Sequence, residues 1–245
     1  MKAMILAAGL GTRLRPLTND RPKALVEVGG RTMLEIAIAR LRAFGVTEIV
    51  VNVHHYADMV IEYLKSQDNF GLRIEISRED ILLDTGGGLK QAAWFFLESS
   101  DVRDEPFILH NVDVISTIDL AQMVTSHKRS GALATLAVQN RDTSRYLLFN
   151  EKGELCGRSY GRNGAPEMVR PATEAKPLAF AGIHVISPRQ LTQMTEQGAF
   201  SIITTYLRLA GEGQKIQAFD ASQFDWFDLG KPQSVAEAEK YLSQA

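Results

Sequence analysis

The apolar positions of the chain alternate in period as they run from the N-terminus. Residues 2–7 are a short continuous apolar run, the pattern of a strand buried on both faces. "TMLEIAIARLRAFG" then has helical spacing. Thr32 and Glu35 have the positions of a capping box, and Gly45 is the stop signal. "VTEIVVNV" reads as a second strand, "ADMVIEYLKS" as a helix and "LRIEIS" as an alternating strand. "GGLKQAAWFFLE" is helical after a run of glycines, and "PFILHNVD" is a strand running into an acidic turn.

Strands alternating with helices over the first 130 residues predict a mostly parallel sheet with helices on both faces. In such Rossmann-like α/β folds ligands sit beyond the carboxyl ends of the strands. The later part is richer in strands: "ALATLAV", "RYLLFN" and "LAFAGIHVI", with a hairpin around Glu151–Gly153. Residues 157–178 are polar and rich in Gly and Pro. They read equally as a flexible lid loop over the site or as an exposed connection. "SVAEAEKYL" closes the chain as a helix. With no repeat and no linker, the economical reading is one domain over 1–245. It divides into a nucleotide-binding half (1–130), a small β-rich half for the second substrate (131–230) and a C-terminal helix (231–245).

Composition narrows the partners. At 45% hydrophobic and 23% charged residues, with a net charge of −2, no basic surface draws the chain to nucleic acid or to an anionic membrane. No apolar segment approaches the ~20 residues that span a bilayer. The single cysteine, Cys156, excludes an intrachain disulfide and suits a cytoplasmic location. The composition leaves the oligomeric state unassigned.

The chemistry begins in "AAGLGTRLRPLT", directly after the first strand. Gly9 and Gly11 supply two positions of a dinucleotide fingerprint, but Leu14 stands where its third glycine belongs. No G-x-x-x-x-G-K-[ST] loop is present either. What remains still suits phosphate. Ala8, Gly9 and Gly11 let the backbone approach a ligand, Thr12 offers a hydroxyl and Arg13 a planar fork. "RPKAL" brings Lys23 a short loop away. These groups read as a triphosphate cradle, against a structural turn with surface cations. Asp113 ends an apolar strand, where a ligand would lie, and Asp228 stands in "DWFDLG"; each alone is more often a loop or cap aspartate. The histidines show no ligand spacing.

"LAAGLGTRLRPLT…RPKAL" resembles the G-x-G-T-R-(L/M)-x-P-L-T…P-K signature of sugar-1-phosphate nucleotidyltransferases. "DTGGGLKQA", "HNVD", "FAGIHVI" and "WFDLG" are similar to later segments of that family. The absence of hexapeptide repeats matches its short members, which lack a C-terminal β-helix. The resemblance implies a nucleotide-diphospho-sugar transferase fold. It also implies transfer of a nucleoside monophosphate from UTP or GTP to a sugar 1-phosphate, with Mg²⁺. Uridylyl transfer to an amino-sugar 1-phosphate such as N-acetylmuramate 1-phosphate is the leading expectation. Guanylyl transfer to mannose 1-phosphate and a non-catalytic nucleotide-sugar binding module are the alternatives.

The resemblance also assigns roles. Arg13 and Lys23 are catalytic, acting on the phosphates. Thr85, Gly86, Gly87 and Gly88 border the nucleobase and ribose with Gly9, and Thr85–Gly88 are expected to open a helix. Asn111 borders the nucleotide and, with Gly182, the sugar phosphate. Asp113 and Asp228 hold the metal, with Asp225 a neighbouring competitor. Lys176 in "EAKP" stands for the family's sugar-phosphate lysine, although the spacer to "FAGIHVI" is short; a solvated loop lysine is the equal alternative. Val112 replaces the usual glycine of the metal strand.

Overall fold

The computed structural model describes residues 1–98 and 105–243. The N-terminal part contains β1 (Lys2–Leu6), β2 (Glu27–Val28), β3 (Arg31–Thr32), α1 (Met33–Ala43), β4 (Glu48–Val53), α2 (Ala57–Ser66) and β5 (Arg73–Arg78). After these come α3 (Asp84–Gln91), α4 (Ala93–Leu97), β6 (Phe107–Asn111), β7 (Val114–Ser116) and α5 (Leu120–Ser130). The later part contains β8 (Ala134–Gln139), β9 (Arg145–Phe149), β10 (Leu155–Tyr160), β11 (Pro166–Met168) and β12 (Lys176–Ile186). It closes with α6 (Ile202–Gly211), β13 (Ile216–Asp220), β14 (Trp226–Asp228) and α7 (Pro232–Leu242).

The main sheet has the order β11-β10-β9-β12-β6-β1-β4-β5, with β8 pairing both β12 and β13. Strands β6, β1, β4 and β5 are parallel, as the alternating pattern predicts. The chain reverses at β12, which runs antiparallel to β6, β8 and β9. The continuous apolar run of β1 is divided between two cores. Ala3 and Ile5 face one that includes α1, α2 and α7; Met4 and Leu6 face the other, with α3, α4 and α6. Among the described residues no helix is long and apolar enough to cross a membrane.

Local chemistry explains the element ends. The Thr32 hydroxyl accepts a hydrogen bond from Glu35 N at 3.0 Å and caps α1. The capping box is only half made, because the Glu35 carboxylate accepts from Arg31 and Tyr63 instead. Helices α5 and α6 are additional to the elements predicted above. Asp119 caps α5 by accepting from Gln122 N, and Gly131 ends it at φ 63°. The loop expected over 157–178 carries most of β10, all of β11 and the first residues of β12. β10 pairs with β9 on one side and β11 on the other, so part of this polar stretch belongs to the sheet, with β11 as its edge. Residues 244–245 of the expected C-terminal segment lie outside the described residues.

Candidate active site

Three chain segments meet beyond the carboxyl ends of β1 and β6. The first is the glycine loop. Gly11 takes φ 65°, and a Cβ there would lie 2.9 Å from the Thr18 methyl, so the turn requires glycine. Its carbonyl accepts from Leu14 N at 2.9 Å and from the Thr18 hydroxyl at 2.8 Å. This ties Thr12–Leu14 into a single 3₁₀ turn that buries Leu14 and leaves Thr12 and Arg13 outside. Gly9 faces open space, with nothing within 4 Å of the Cβ it lacks.

The second segment carries Lys23, at the start of another 3₁₀ turn (Lys23–Leu25) after Pro22. Lys23 is only 9% exposed, and its ammonium donates to the Asp113 carboxylate. The third segment is β14. It pairs antiparallel with β7, setting Asp228 opposite Val114, and Leu229 N donates to the Asp113 carbonyl at 2.9 Å. The two aspartates are thereby brought to one place by main-chain pairing. Asp228 also accepts from Gly230 N at 2.9 Å. A Cβ on Gly230 would sit 2.9 Å from Asp228 Oδ1 and 3.3 Å from Arg13 Nη2, so this glycine leaves room for both. Asp225 is turned away and accepts from the Tyr241 hydroxyl at 2.9 Å.

Two adjoining cavities share Gly9, Lys23 and Leu82. The smaller, about 260 Å³, runs along Gly9–Leu14 to Gly230. The larger, about 380 Å³, is lined by Ala8, Gly9, Asn52, Asp84, Thr85, Asn111, Asp113 and Ala199 among others. Ala8, Gly9, Gly11, Thr12, Arg13, Lys23, Thr85, Asn111 and Asp113 therefore share one connected cleft, with Gly230 of the β14 segment at its edge. Asn111 Oδ1 is buried without a hydrogen-bond partner. Gly182 takes φ 73°, and its missing Cβ would lie 2.9 Å from Asn111 Nδ2. Val112 is buried in the core, which accounts for a β-branched residue beside Asp113.

Gly86, Gly87 and Gly88 have a different surrounding from the one expected of a ligand-binding helix start. The helix begins at Asp84, and the N–H groups of Gly86 and Gly87 both donate to the Phe200 carbonyl. Cβ atoms on these three glycines would strike Phe200, the Gly198 carbonyl, and the Glu79 and Asn52 side chains. Close packing fills the space that a Cβ would take at each of the three. Lys176 is 59% exposed and stands 3.7 Å from Asp220, apart from both cavities.

The sequence reading passed over Asn52 and Glu79. Asn52 Oδ1 accepts from Ala7 N at 2.8 Å, and its Nδ2 donates to Glu79 Oε1 at 2.6 Å. Glu79 Oε2 accepts from Leu83 N at 2.9 Å. This buried chain joins the glycine loop to the loop carrying Leu82 and Asp84. A polar residue near the carboxyl end of "VTEIVVNV" was the signal available. Arg141 was also passed over; its charge lies near Asp228.

None of the histidines joins the cleft. His54 bonds the Glu79 carbonyl, and His55 stacks on Tyr56. His110 and His184 are buried, and desolvation lowers their pKa to about 4 and about 3. Among the described residues no group of three or more Asp, Glu, His or Cys side chains is placed to hold a metal ion.

Together these observations define a glycine-lined cleft with cationic and acidic side chains at the strand ends of an α/β sheet. The family described as nucleotidyl transferase matches residues 2–154. The chain is 36% identical over 254 residues to N-acetylmuramate alpha-1-phosphate uridylyltransferase of Caulobacter vibrioides, covering 99% of this chain and 97% of that one. It is 33% identical over 240 residues to mannose-1-phosphate guanyltransferase of Aspergillus fumigatus, covering 95% of this chain but 61% of that longer protein. Among solved structures, HddC from Yersinia pseudotuberculosis complexed with GMP-PN superposes with a TM-score of 0.76 at 20% identity, over 98% of this chain and 99% of that one. UDP-glucose pyrophosphorylase complexed with UDP-glucose gives 0.77 at 17% identity, over 99% and 98%. These two likenesses bear out the predicted fold. The chain belongs to the nucleotidyl transferase family and is an enzyme of that class.

Proposed function

We propose that this enzyme transfers a uridylyl group from UTP to an amino-sugar 1-phosphate such as N-acetylmuramate 1-phosphate, releasing pyrophosphate. The observation that carries this reading is the gathering of Arg13, Lys23, Asp113 and Asp228 around one glycine loop. The near full-length relative from Caulobacter vibrioides supports the choice of base and sugar. Guanylyl transfer to mannose 1-phosphate is the second reading, favoured by the guanyltransferase relatives.

The sugar phosphate is already ionised, so its oxygen attacks the α-phosphorus in line without a general base. The protein then contributes position and charge. Arg13 is assigned to the β- and γ-phosphates of the departing pyrophosphate. Lys23 is assigned to the α-phosphate as charge develops. Gly9 lets the nucleotide approach the backbone, and Asn111 and Gly182 face the sugar.

The donor set fits Mg²⁺. Asp113 and Asp228 are hard oxygen ligands, and Asp113 already attracts a cationic group in Lys23. Mg²⁺ commonly takes one or two carboxylates and completes its shell with phosphates and water, so a third protein carboxylate is not needed. Bound there, it would neutralise the phosphates.

Four nucleoside triphosphates screened against a panel of sugar 1-phosphates, with Mg²⁺ and pyrophosphate release as readout, test the reading. Fastest turnover with UTP and an amino-sugar 1-phosphate is expected. GTP with mannose 1-phosphate as the best pair selects the second reading. Tight binding without turnover on the whole panel overturns both.

A further inference from the structure

Arg141 is a half-buried cation near Asp228 that the roles above leave unused. It follows β8 by two residues, and its guanidinium carbon lies 3.8 Å from the centroid of the Trp226 ring. One terminal nitrogen donates to the Phe180 carbonyl at 2.9 Å. The Trp226 indole N–H donates to the Ala181 carbonyl at 2.8 Å. Both carbonyls belong to an irregularity in β12, where pairing with β8 jumps from Phe180 to His184 and Gly182 turns to positive φ. A regular antiparallel ladder spends its carbonyls on the neighbouring strand; a bulge releases them. Here the released carbonyls hold an arginine and the ring under it. The same bulge sets Gly182 against Asn111.

The rest of the guanidinium is uncommitted. Arg141 forms no ion pair with a carboxylate within bonding distance among the described residues. Its Nε is buried with no hydrogen-bond partner. The other terminal nitrogen has a single long contact, 3.5 Å to the Asp142 carbonyl. Asp228 is close enough to favour its charged form against the cost of burial. A half-buried, pre-oriented guanidinium near a metal-ligand candidate, its terminal nitrogens keeping N–H groups that the bonded carbonyls do not use, suits a planar or tetrahedral oxyanion.

We propose that Arg141 is the acceptor-side anion ligand of this enzyme, binding an oxyanion of the phosphorylated sugar. Its role rests on the nucleotidyl-transfer reading above. It fills the place for which Lys176, exposed and beside Asp220, is poorly sited. The oxyanion belongs either to the 1-phosphate or to a carboxylate on the sugar.

The test uses Arg141→Ala and Arg141→Gln in the full chain; Gln keeps a donor for the Phe180 carbonyl if Ala compromises folding. Calorimetric binding of N-acetylglucosamine 1-phosphate and of N-acetylmuramate 1-phosphate, which adds a lactyl carboxylate, is measured beside steady-state kinetics. Loss of charge-assisted hydrogen bonds predicts acceptor affinity weakened roughly 10–100-fold, with KM for the nucleotide changed less than about twofold. Equal losses for both sugars assign the phosphate; a loss confined to the carboxylated sugar assigns the carboxylate. Wild-type acceptor affinity in both variants, or an equal rise in nucleotide KM, overturns the proposal. If the wild-type enzyme turns over no pair, the transfer reading fails, while the calorimetry still decides the role of Arg141.

Discussion

Asn52→Leu isolates the buried chain behind the cleft. Leucine is close to asparagine in size, so the change removes hydrogen bonds more than volume. Asn52 and Glu79 are 2% and 3% exposed, and Ala7 is buried as well. The substitution strands the Ala7 N–H and one oxygen of the Glu79 carboxylate. An unsatisfied buried polar group costs about 1–3 kcal/mol, and more when charged, so a total of about 3–5 kcal/mol is expected. For a chain of this size, roughly 2–4 °C per kcal/mol converts that to a fall in Tm of about 6–20 °C. Thermal unfolding followed by circular dichroism at neutral pH measures it. The Asn52→Leu/Glu79→Leu double variant removes the stranded carboxylate and is expected to lose less than the sum of the single losses. A drop below about 2 °C for Asn52→Leu, or strict additivity, would refute the network as a structural element.

Other expectations follow from the site and the core. Lys23→Ala and Asp113→Ala each lower the rate roughly 10²–10³-fold, read as pyrophosphate release, and near wild-type release from either would remove its assigned role. Gly88→Ala, whose Cβ would lie 2.6 Å from Glu79 Oε1, and Gly86→Ala, at 2.4 Å from the Phe200 ring, destabilise by about 1–3 kcal/mol in urea titrations. Gly9→Ala meets nothing and keeps the wild-type midpoint while raising nucleotide KM. The unfolded chain protonates its histidines near pH 6.5, whereas burial holds His110 to about 4 and His184 to about 3. The unfolded state therefore binds more protons in that interval, and stability falls as pH drops from about 6.5 toward 4. A lower denaturation midpoint at pH 5 than at pH 7.5, with a smaller difference in His184→Gln, checks it.

Periodicity made β1, α1, β4, α2, β5 and β6 legible, and α1 had a cap and a stop besides. The helix α5 carried its own signals in Asp119, Gln122 and Gly131, but its polar face weakened the apolar count. The edge strand β11 looks like loop because an edge tolerates Gly, Pro and charge, and β10 beside it carries Gly157 and Arg158. At the site, local motifs announced the glycine loop and Lys23. The three glycines after Thr85 carried a similar signal, and each has a packing reason of its own: a glycine needed for packing and one needed for a ligand are written identically. Asn52, Glu79 and Arg141 matter through partners 27–85 residues distant, at Glu79, Ala7, Phe180 and Trp226, and no local pattern records such pairs.

If Asp113 holds the metal and Lys23 a phosphate, as proposed above, their contact makes the two ligands of this cleft thermodynamically dependent on each other. Without ligands, each charge satisfies the other. Asp113 can serve a divalent cation only by giving up its ammonium, and Lys23 can serve a phosphate only by leaving its carboxylate. Either exchange alone strands a half-buried charge. When both ligands arrive, neither group is left unmatched. Metal and nucleotide therefore tighten each other's binding by the same factor, and the free enzyme has little affinity for the cation alone.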